Sequence, residues 1–383
     1  MNILLVGEYS RLHNSLKEGL IANSHNVTLV GNGDLFKQYP ADIDLKPKIS
    51  DHLLLRFIRK VVHYFTKFDL SDFEVVYRFK KALPNLKEFD VVQLINEDAL
   101  NIHPRLQIKL LKKLFNQNKS VFLLCCGDDY ISINHYLKDE QKYSILTPYL
   151  KDISLKNHYR YALKYTSKPY KKLHDFLYKH VKGVISTDLD YHITQKDRSE
   201  YLGLIPNPVN LDTIPFNDLN LDSKITIFHG VNKLSHIRKG NHYFNKALDF
   251  VQQKYSDKIK IKEVNSLPYS EYIESYNDAH IVLDAVYGFD QGYNALEAMA
   301  KGKVVLTGAE DIWLNYYHLE KDTIAINAEP DAQAIAIKLE WLVLNPEKIL
   351  EISKNARAFI EREHDYRKIA LKYLDVWQNK MQH

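Results

Sequence analysis

The sequence predicts an α/β fold built on parallel sheets, and two observations support this. Short apolar runs typical of buried strands alternate with longer stretches that have the periodicity of amphipathic helices. This alternation continues through both halves of the 383-residue chain, which is long enough for two domains with separate cores. Strands that alternate with helices in this way usually form a parallel sheet covered by helices on both faces.

The predicted strands follow one another through each half of the chain. In the first half they are residues 2–6, 26–30, 91–95, 121–124 and 183–186. In the second half they are residues 225–229, 259–264, 281–283, 304–306 and 323–326. Helices are predicted between them, for example over residues 12–23 and over residues 104–116, where Leu and Ile recur at helical spacing.

A proline-rich segment separates the two halves. Pro206, Pro208 and Pro215 stand among several Asn and Asp residues, and this composition is incompatible with a continuous helix or strand. The segment is therefore interpreted as a linker between domains. We predict a first domain over residues 1–205, the linker over 206–223, a second domain over 224–364 and a final helix over 365–383.

The composition is that of an ordinary soluble chain and argues against several functions. Apolar residues make up 45% and charged residues 26%. No run approaches the roughly 20 apolar residues of a membrane span, and no secretory signal is expected. The net charge of +4, without RNA-recognition or zinc-finger spacing, argues against nucleic-acid binding. The 17 histidines form no pair with metal-ligand spacing, so neither a metal nor another cofactor is expected. The adjacent Cys125 and Cys126 indicate a reducing compartment.

The most informative stretch is residues 288–306. A turn-rich loop follows the predicted strand 281–283, and a helix is predicted to begin near Tyr293 and to end at Gly302. The unpaired N–H groups of the first helical turn and the helix dipole favour an anionic ligand in the preceding loop. Glu297 lies in the first turns of this helix, where its carboxylate could bind a sugar or ribose hydroxyl.

This stretch resembles the nucleotide-sugar site of retaining glycosyltransferases of the GT-B type. The group is the large family four, or glycosyl transferases group 1, typified by sucrose synthase-like and lipopolysaccharide transferases. Phe289 stands where the family has the first Glu of a Glu-x7-Glu pair, and Lys303 stands where it has Pro. The matching residues are Gly292, Leu296, Glu297, Ala298, Met299, Ala300, Gly302 and Val305.

The resemblance implies a GT-B fold and covers most of the chain. This fold consists of two Rossmann-like domains with an interdomain cleft, and its C-terminal helix, here residues 365–383, crosses back to the first domain. The match is weakest over residues 39–85, which would shape the acceptor site. Residues 264–267 would border the nucleotide base, and nothing in them selects one base.

A basic turn follows the predicted strand 225–229. Lys239 and Gly240 match a Lys-Gly pair of the family, and Arg238 could supply the arginine that the family carries slightly earlier. The resemblance implies that Arg238 and Lys239 hold the donor's diphosphate, since the departing phosphate needs a fixed cation. A basic turn on the surface is the alternative. The amides expected to assist are those of Gly292, Tyr293 and Asn294.

Loops after the first-domain strands supply further candidates. Gly7 lies in the loop that the family places beside the donor phosphates, and His13 begins the following helix. Asp129 aligns with a family Asp that faces the reaction centre, where it would bind hydroxyls or help to take the acceptor proton. Capping of a helix N-terminus is the alternative role for Asp129. His135 and Asp188 are weaker candidates at later strand ends.

Basic and tyrosine residues are interleaved over residues 151–182. Such a helical stretch could lie on an anionic membrane surface, or it could be a solvated helix face. The basic residues include Lys156, Arg160, Lys164, Lys168, Lys171, Lys172 and Lys179.

The resemblance therefore implies a glycosyltransferase, hexosyl or related, that moves a sugar from a nucleotide diphosphate sugar to a hydroxyl. The acceptor would be a glycan or lipid-linked, the reaction retaining and metal-independent, and the pathway polysaccharide or glycolipid synthesis. Asp129, Lys239 and Glu297 are the expected catalytic residues. The expected location is cytoplasmic, with peripheral attachment to the inner face of the cell membrane as an option.

Three alternatives compete with this hypothesis. A degenerate GT-B module would hold nucleotide or glycan without turnover, and the replacement of Glu by Phe289 favours it. A nucleotide-sugar 2-epimerase shares the fold, but its motif set is absent from the sequence. A purely structural protein poorly explains why the loop, the helix start and the basic turn all lie at strand ends.

Overall fold

Two parallel β-sheets, each covered by helices, organise the chain. The structure is a computed structural model that describes residues 1–34, 37–48, 59, 69–221 and 223–382. Residues 49–58 and 60–68, part of the stretch of weakest family resemblance, lie outside the described residues. None of the helices in the described part of the chain is long and apolar enough to cross a membrane.

The first sheet contains seven strands in the spatial order β3-β2-β1-β4-β5-β6-β7, paired in parallel. All five predicted strands are present. The short edge strands β3 and β7 are not predicted by the sequence because neither has a buried apolar run. The strands are β1 (Asn2–Val6), β2 (Asn26–Gly31), β3 (Ile43–Asp44), β4 (Val91–Leu94), β5 (Ser120–Cys125), β6 (Gly183–Ser186) and β7 (Tyr201–Leu204).

Local sequence signals account for the helices of the first half. The helix Pro104–Asn116 starts after His103, whose ring accepts a hydrogen bond from the N–H of Arg105, and Pro104 occupies the first turn, where no N–H is needed. The helices are α1 (Leu12–Ala22), α2 (Leu70–Ala82), α3 (Pro104–Asn116), α4 (Tyr130–Tyr136), α5 (Thr147–Lys151), α6 (Arg160–Leu163), α7 (Lys168–His180) and α8 (Leu189–Gln195).

The second sheet has five strands in the order β12-β11-β10-β8-β9, also paired in parallel. The strand predicted over residues 323–326 begins late, because residues 321–325 form a turn and a bend. The strands are β8 (Ile225–Val231), β9 (Ile259–Asn265), β10 (Ile281–Leu283), β11 (Val304–Thr307) and β12 (Ile326–Asn327). The helices are α9 (His236–Lys239), α10 (Asn241–Tyr255), α11 (Tyr269–Ser275), α12 (Tyr293–Ala300), α13 (Asp311–Tyr317), α14 (Ala332–Leu344) and α15 (Pro346–Glu363).

The last helix, α16 (Tyr366–Gln382), returns to the first sheet, as the sequence predicts. Trp377 is fully buried in the first core, and its Nε1 donates a hydrogen bond of 3.0 Å to Oε1 of Gln93 on β4. Helix α16 also packs closely on α1. A Cβ at Gly19 would lie 2.2 Å from the carbonyl oxygen of Tyr366, so only glycine permits this approach.

The chain between β5 and β6 packs against the second sheet. Tyr136, Tyr143, Tyr159 and Tyr165 are buried in one apolar cluster with core residues of the second sheet such as Ile227. This part of the first half therefore reaches across to the second and brings the loops of the two sheets together.

Candidate functional site

Loops at the carboxyl ends of the two sheets meet across a cleft. Arg238, in the turn after β8, forms a two-pronged ion pair with Asp128, in the loop after β5, at 2.9 and 2.8 Å. The Asp128 side chain is 12% exposed and that of Arg238 29% exposed. Burial opposes the charge of Arg238, but the Asp128 carboxylate raises the pKa of Arg238 above its usual range. The cation is therefore held in place by the opposite domain.

Asp284 connects the second predicted cation to the helix start. This residue directly follows β10 and is buried. Its Oδ1 accepts hydrogen bonds from Nζ of Lys239 and Nδ2 of Asn294, both at 2.7 Å, and its Oδ2 accepts one from Thr307 at 3.2 Å. One carboxylate thus holds Lys239 beside the first turn of α12. Asp284 was not among the predicted site residues, although a polar residue directly after the apolar run 281–283 is a signal for one.

The glycine after Lys239 is required by close packing. Gly240 has a φ of 69°, and a Cβ there would lie 2.2 Å from Val286 Cγ2. Any larger residue would push the Arg-Lys turn away from the loop after β10, so this glycine sets the position of Lys239.

The start of α12 lies at the boundary between linker and cleft. Gly292 precedes the helix in an extended conformation and is exposed. The hydroxyl of Tyr293 donates a hydrogen bond of 2.6 Å to the carbonyl oxygen of Pro208 in the linker. The predicted residues Gly292, Tyr293 and Asn294 therefore occupy the helix start, with Asn294 next to Lys239.

Glu297 is buried on the same helix beside a cavity. The hydroxyl of Tyr269, on α11, donates a hydrogen bond of 2.5 Å to Oε1 of Glu297. Burial raises the pKa of Glu297, against this hydrogen bond and the nearby positive charges of Arg11 and Lys37. The cavity has a volume of about 350 Å³ and is lined by side chains from both halves of the chain. Among them are Arg11, Asn210, Tyr269, Tyr293, Glu297 and Lys301.

Phe289 serves as an interdomain contact. Its ring stacks on that of Tyr143 with centroids 5.6 Å apart and planes 5° apart. The N–H groups of Phe289 and Asp290 donate to the Asp190 carboxylate at 3.1 and 3.2 Å. In return, Oδ2 of Asp290 accepts the N–H of Leu189 at 3.0 Å. The loop that carries a Glu in the resembled family is thus bound to the first half of the chain.

These contacts enclose several carboxyl groups. Burial, followed by the charge of Asp290, raises the pKa of Asp190 to about 7, and burial raises that of Asp290 to about 6. Asp188 caps α8 by accepting the N–H of Tyr191, and burial raises its pKa well above the usual range. Across the residues that the structure describes, no group of three or more His, Cys, Asp or Glu side chains is arranged to hold a metal ion. Metal independence stays a prediction.

Asp129 points into its own helix. It is buried, and its Oδ1 accepts the N–H of Ser132 at 2.6 Å in a capping box at the start of α4. The structure thus shows the capping role that the sequence analysis left open, and the neighbouring Asp128 makes the contact across the cleft. His135 lies at the end of α4, and its Nε2 is 3.1 Å from Nε2 of Gln141.

Buried contacts fix the conformation of the loop after β1. Gly7 has a φ of 86°, and a Cβ there would lie 2.3 Å from Ile95 Cγ2. Nδ1 of the fully buried His13 lies 2.7 Å from the carbonyl oxygen of Gly7, and burial lowers the pKa of His13 to about 3. His13 is therefore neutral at physiological pH, so it fixes the loop and carries no charge for a phosphate.

The fold can now be compared with solved structures. Sucrose-phosphate synthase from Thermosynechococcus elongatus superimposes with a TM-score of 0.61 at 14% identity, covering 99% of this chain and 98% of that one. The catalytic domain of starch synthase IV from Arabidopsis thaliana, bound to ADP and acarbose, superimposes with a TM-score of 0.58 at 13% identity. The match covers 100% of this chain and 99% of that one. The fold is GT-B. HepE from Anabaena, solved with UDP-glucose, has a TM-score of 0.56 at 13% identity, and the match covers 99% of this chain and 100% of that one.

A sequence match adds to the structural likeness. Residues 230–375 match a family described as glycosyl transferase-like, and this range holds the basic turn, α12 and Glu297. No curated protein sequence matches the chain significantly. The GT-B prediction is confirmed as a fold, whereas the retaining, family-four assignment stays a prediction.

Proposed function

We propose that the chain is a glycosyltransferase, hexosyl or related, that moves a sugar from a nucleotide diphosphate sugar to a hydroxyl group. The observation that carries this proposal is the shared carboxylate of Asp284. It holds Lys239 and Asn294 at 2.7 Å from the same oxygen, so a fixed ammonium group lies beside the N-terminus of α12. A cation and a helix N-terminus at one place form a site for a diphosphate.

The arrangement supplies what the transfer needs from the protein. Arg238 and Lys239 reach the cleft from adjacent positions, and each is already oriented by a carboxylate. Preorganised cations stabilise the charge that develops on the departing phosphate. The reaction would proceed with retention and without a metal ion, and the leaving phosphate would assist removal of the acceptor proton. Glu297 would bind ribose or sugar hydroxyls. The ligands of the solved relatives, ADP and UDP-glucose, support a donor of this class.

Binding tests this proposal before any acceptor is known. In a thermal-shift screen of UDP, GDP, ADP, CMP and their common sugars without metal, one nucleotide class should raise the melting temperature. The Lys239→Ala variant should lose that shift, whereas Lys246→Ala, which removes an exposed lysine of α10, should keep it. A wild-type protein that responds to none of these ligands, with or without EDTA, would contradict the proposal.

A degenerate GT-B module is the second candidate. The burial of Phe289 against Tyr143, at the place where the resembled family has its first Glu, favours this alternative. The two candidates differ in turnover. Slow hydrolysis of the bound nucleotide sugar, or transfer to an added glycan, identifies the enzyme, whereas tight binding without either reaction identifies the module.

The proposed acceptor is a glycan or a lipid-linked sugar at the cytoplasmic face of the membrane, in polysaccharide or glycolipid synthesis. Residues 151–182 support an anionic membrane contact only in part, because Lys164 pairs with Asp98 and Lys171 with Asp175. The remaining exposed residues include the apolar Ile153 and Tyr161, 70% and 61% exposed. The exposed basic side chains without a carboxylate partner already named include Lys156, Arg160, Lys168, Lys172 and Lys179.

Vesicle sedimentation tests this membrane contact. The protein should sediment with phosphatidylserine vesicles at low salt, and it should stay in solution with phosphatidylcholine vesicles. Replacing Lys156, Arg160 and Lys168 by Glu should abolish the sedimentation without changing the nucleotide shift. Equal sedimentation of this variant would assign the contact to another surface.

A further inference from the structure

Glu8 is a buried carboxyl group at the carboxyl end of β1, and only one of its two oxygen atoms forms hydrogen bonds. It follows Gly7 in the loop after β1 and is 2% exposed. Its Oε2 accepts hydrogen bonds from the N–H and from Nδ2 of Asn14, at 2.9 and 2.6 Å. Its Oε1 is buried and has no partner among the described residues. A buried polar atom without a partner destabilises the fold, and a bound ligand is one explanation for its retention.

The position of Glu8 in the fold points to the same conclusion. Strands β1 and β4 are neighbours in the first sheet, and the order in which successive strands are added reverses between them. Ligands of open α/β sheets bind outside the carboxyl ends of the strands at such a switch point. The charge of Glu8 also acts on Tyr293, raising its pKa after the larger effect of burial. Glu8 therefore lies near the start of α12, where the donor site is proposed.

A donor sugar needs a hydroxyl partner that the second domain does not provide at the expected place. Phe289 has no polar group, and the adjacent Asp290 is committed to the N–H groups of Leu189 and Gln291. Glu8 lies in the loop after β1, which also contributes Arg11 to the cavity lining, so its free oxygen belongs to the first-sheet side of the cleft.

We propose that the carboxyl group of Glu8 binds a hydroxyl of the donor sugar through Oε1 and replaces the carboxylate missing at Phe289. This inference rests on the proposed function, because it assigns a contact within the same donor site. Glu8 is thereby a specificity-determining residue for the sugar and contributes nothing to binding of the nucleotide alone.

The protonation state of Glu8 suits this role. Burial, opposed by the hydrogen bonds from Asn14, raises the pKa of Glu8 to about 8. The carboxyl group is therefore neutral below about pH 8, and it can donate to a hydroxyl without repelling a diphosphate. Above that pH it becomes an anion beside the donor. The other titratable groups around it are the neutral His13, Asp34 after β2, Tyr39, Cys126 after β5 and Tyr293 on α12.

Calorimetric titration with UDP and UDP-glucose, ADP and ADP-glucose, and GDP and GDP-mannose tests the assignment. At pH 7 the Glu8→Ala variant should bind the nucleotide sugar about three- to tenfold more weakly than wild type, while its affinity for the nucleoside diphosphate stays unchanged. Between about pH 7 and 8.5 the wild-type affinity for the nucleotide sugar should fall, because the ionised Glu8 repels the diphosphate, whose own charge is constant over this range. The Glu8→Gln variant keeps the acceptor for Asn14 and cannot ionise, so it should lose the alkaline decrease.

Each outcome has a defined meaning. The assignment is overturned if both Glu8 variants bind the nucleotide sugar as tightly as wild type does. It is also overturned if the alkaline decrease in affinity persists in Glu8→Gln. Reduced transfer with unchanged affinity for the nucleotide sugar would place Glu8 at the acceptor and also overturn it. The failure of wild type to bind any of the six ligands contradicts the proposed function itself. Asp72→Asn is the matched control, because Asp72 is a buried carboxyl group on α2 whose pKa burial raises to about 6, away from the described donor residues.

Discussion

Replacing Arg238 by Met should lower kcat/KM for the donor about 10²–10³-fold, because a fixed cation on the departing phosphate is lost. Arg238 is the cation with the more precise geometry, since two of its nitrogen atoms are held by Asp128 at 2.8 and 2.9 Å. The rate of nucleotide-sugar hydrolysis, measured with the donor that the binding screen identifies, is a suitable readout. Hydrolysis within threefold of wild type would remove Arg238 from the mechanism.

The same substitution should also destabilise the protein, and a double variant separates the two effects. Arg238→Met leaves the largely buried Asp128 carboxylate without its partner, at a cost of about 1–3 kcal/mol. Adding Asp128→Asn removes the unpaired charge and should restore most of the stability, because loss of both partners is far cheaper than loss of one. Activity should stay low in the double variant. Recovery of activity together with stability would mean that Arg238 acts only as a structural contact.

The strands and helices of the core were predictable because their signals are local. Apolar runs fix the strands β1, β2, β4–β6 and β8–β11 within a few residues, and the proline-rich segment marks the change from one sheet to the other. Strands β3 and β7 escape such an analysis because they are short edge strands that tertiary pairing creates.

The candidate site was predictable only where a motif fixes the backbone. Lys239, Gly240 and the start of α12 lie where the motif places them. Asp128 and Asp129 show where prediction from a motif fails, because the sequence alone does not decide which of the two carboxylates caps the helix. The helix begins at Tyr130, so Asp129 becomes the cap and Asp128 faces Arg238, which is 110 residues away in the sequence. Pairings over such distances depend on how the two sheets meet, and a single sequence carries no local record of that.

The partners of the site residues follow the same rule. Asp284 reaches Lys239 over 45 positions and Tyr269 reaches Glu297 over 28. The motif therefore identifies the cations and the helix, whereas the side chains that orient them had to be read from the fold. In this chain the groups that orient the two cations are both carboxylates, Asp128 and Asp284.

Replacing Trp377 by Ala should lower the free energy of unfolding by about 3–5 kcal/mol, the range for loss of a buried tryptophan. Trp377 is fully buried in the first core although it lies on the last helix, and its indole N–H satisfies Oε1 of Gln93 on a central strand. Urea unfolding measures the loss, and Trp377→Phe, which keeps most of the packing, should cost less. Leu371→Ala, a change on the same helix at a side chain 53% exposed, should alter stability by less than about 0.5 kcal/mol. An equal effect of the two alanine variants would show that α16 contributes through its own helicity, whereas the expected difference would show that the chain's end stabilises the first domain by packing.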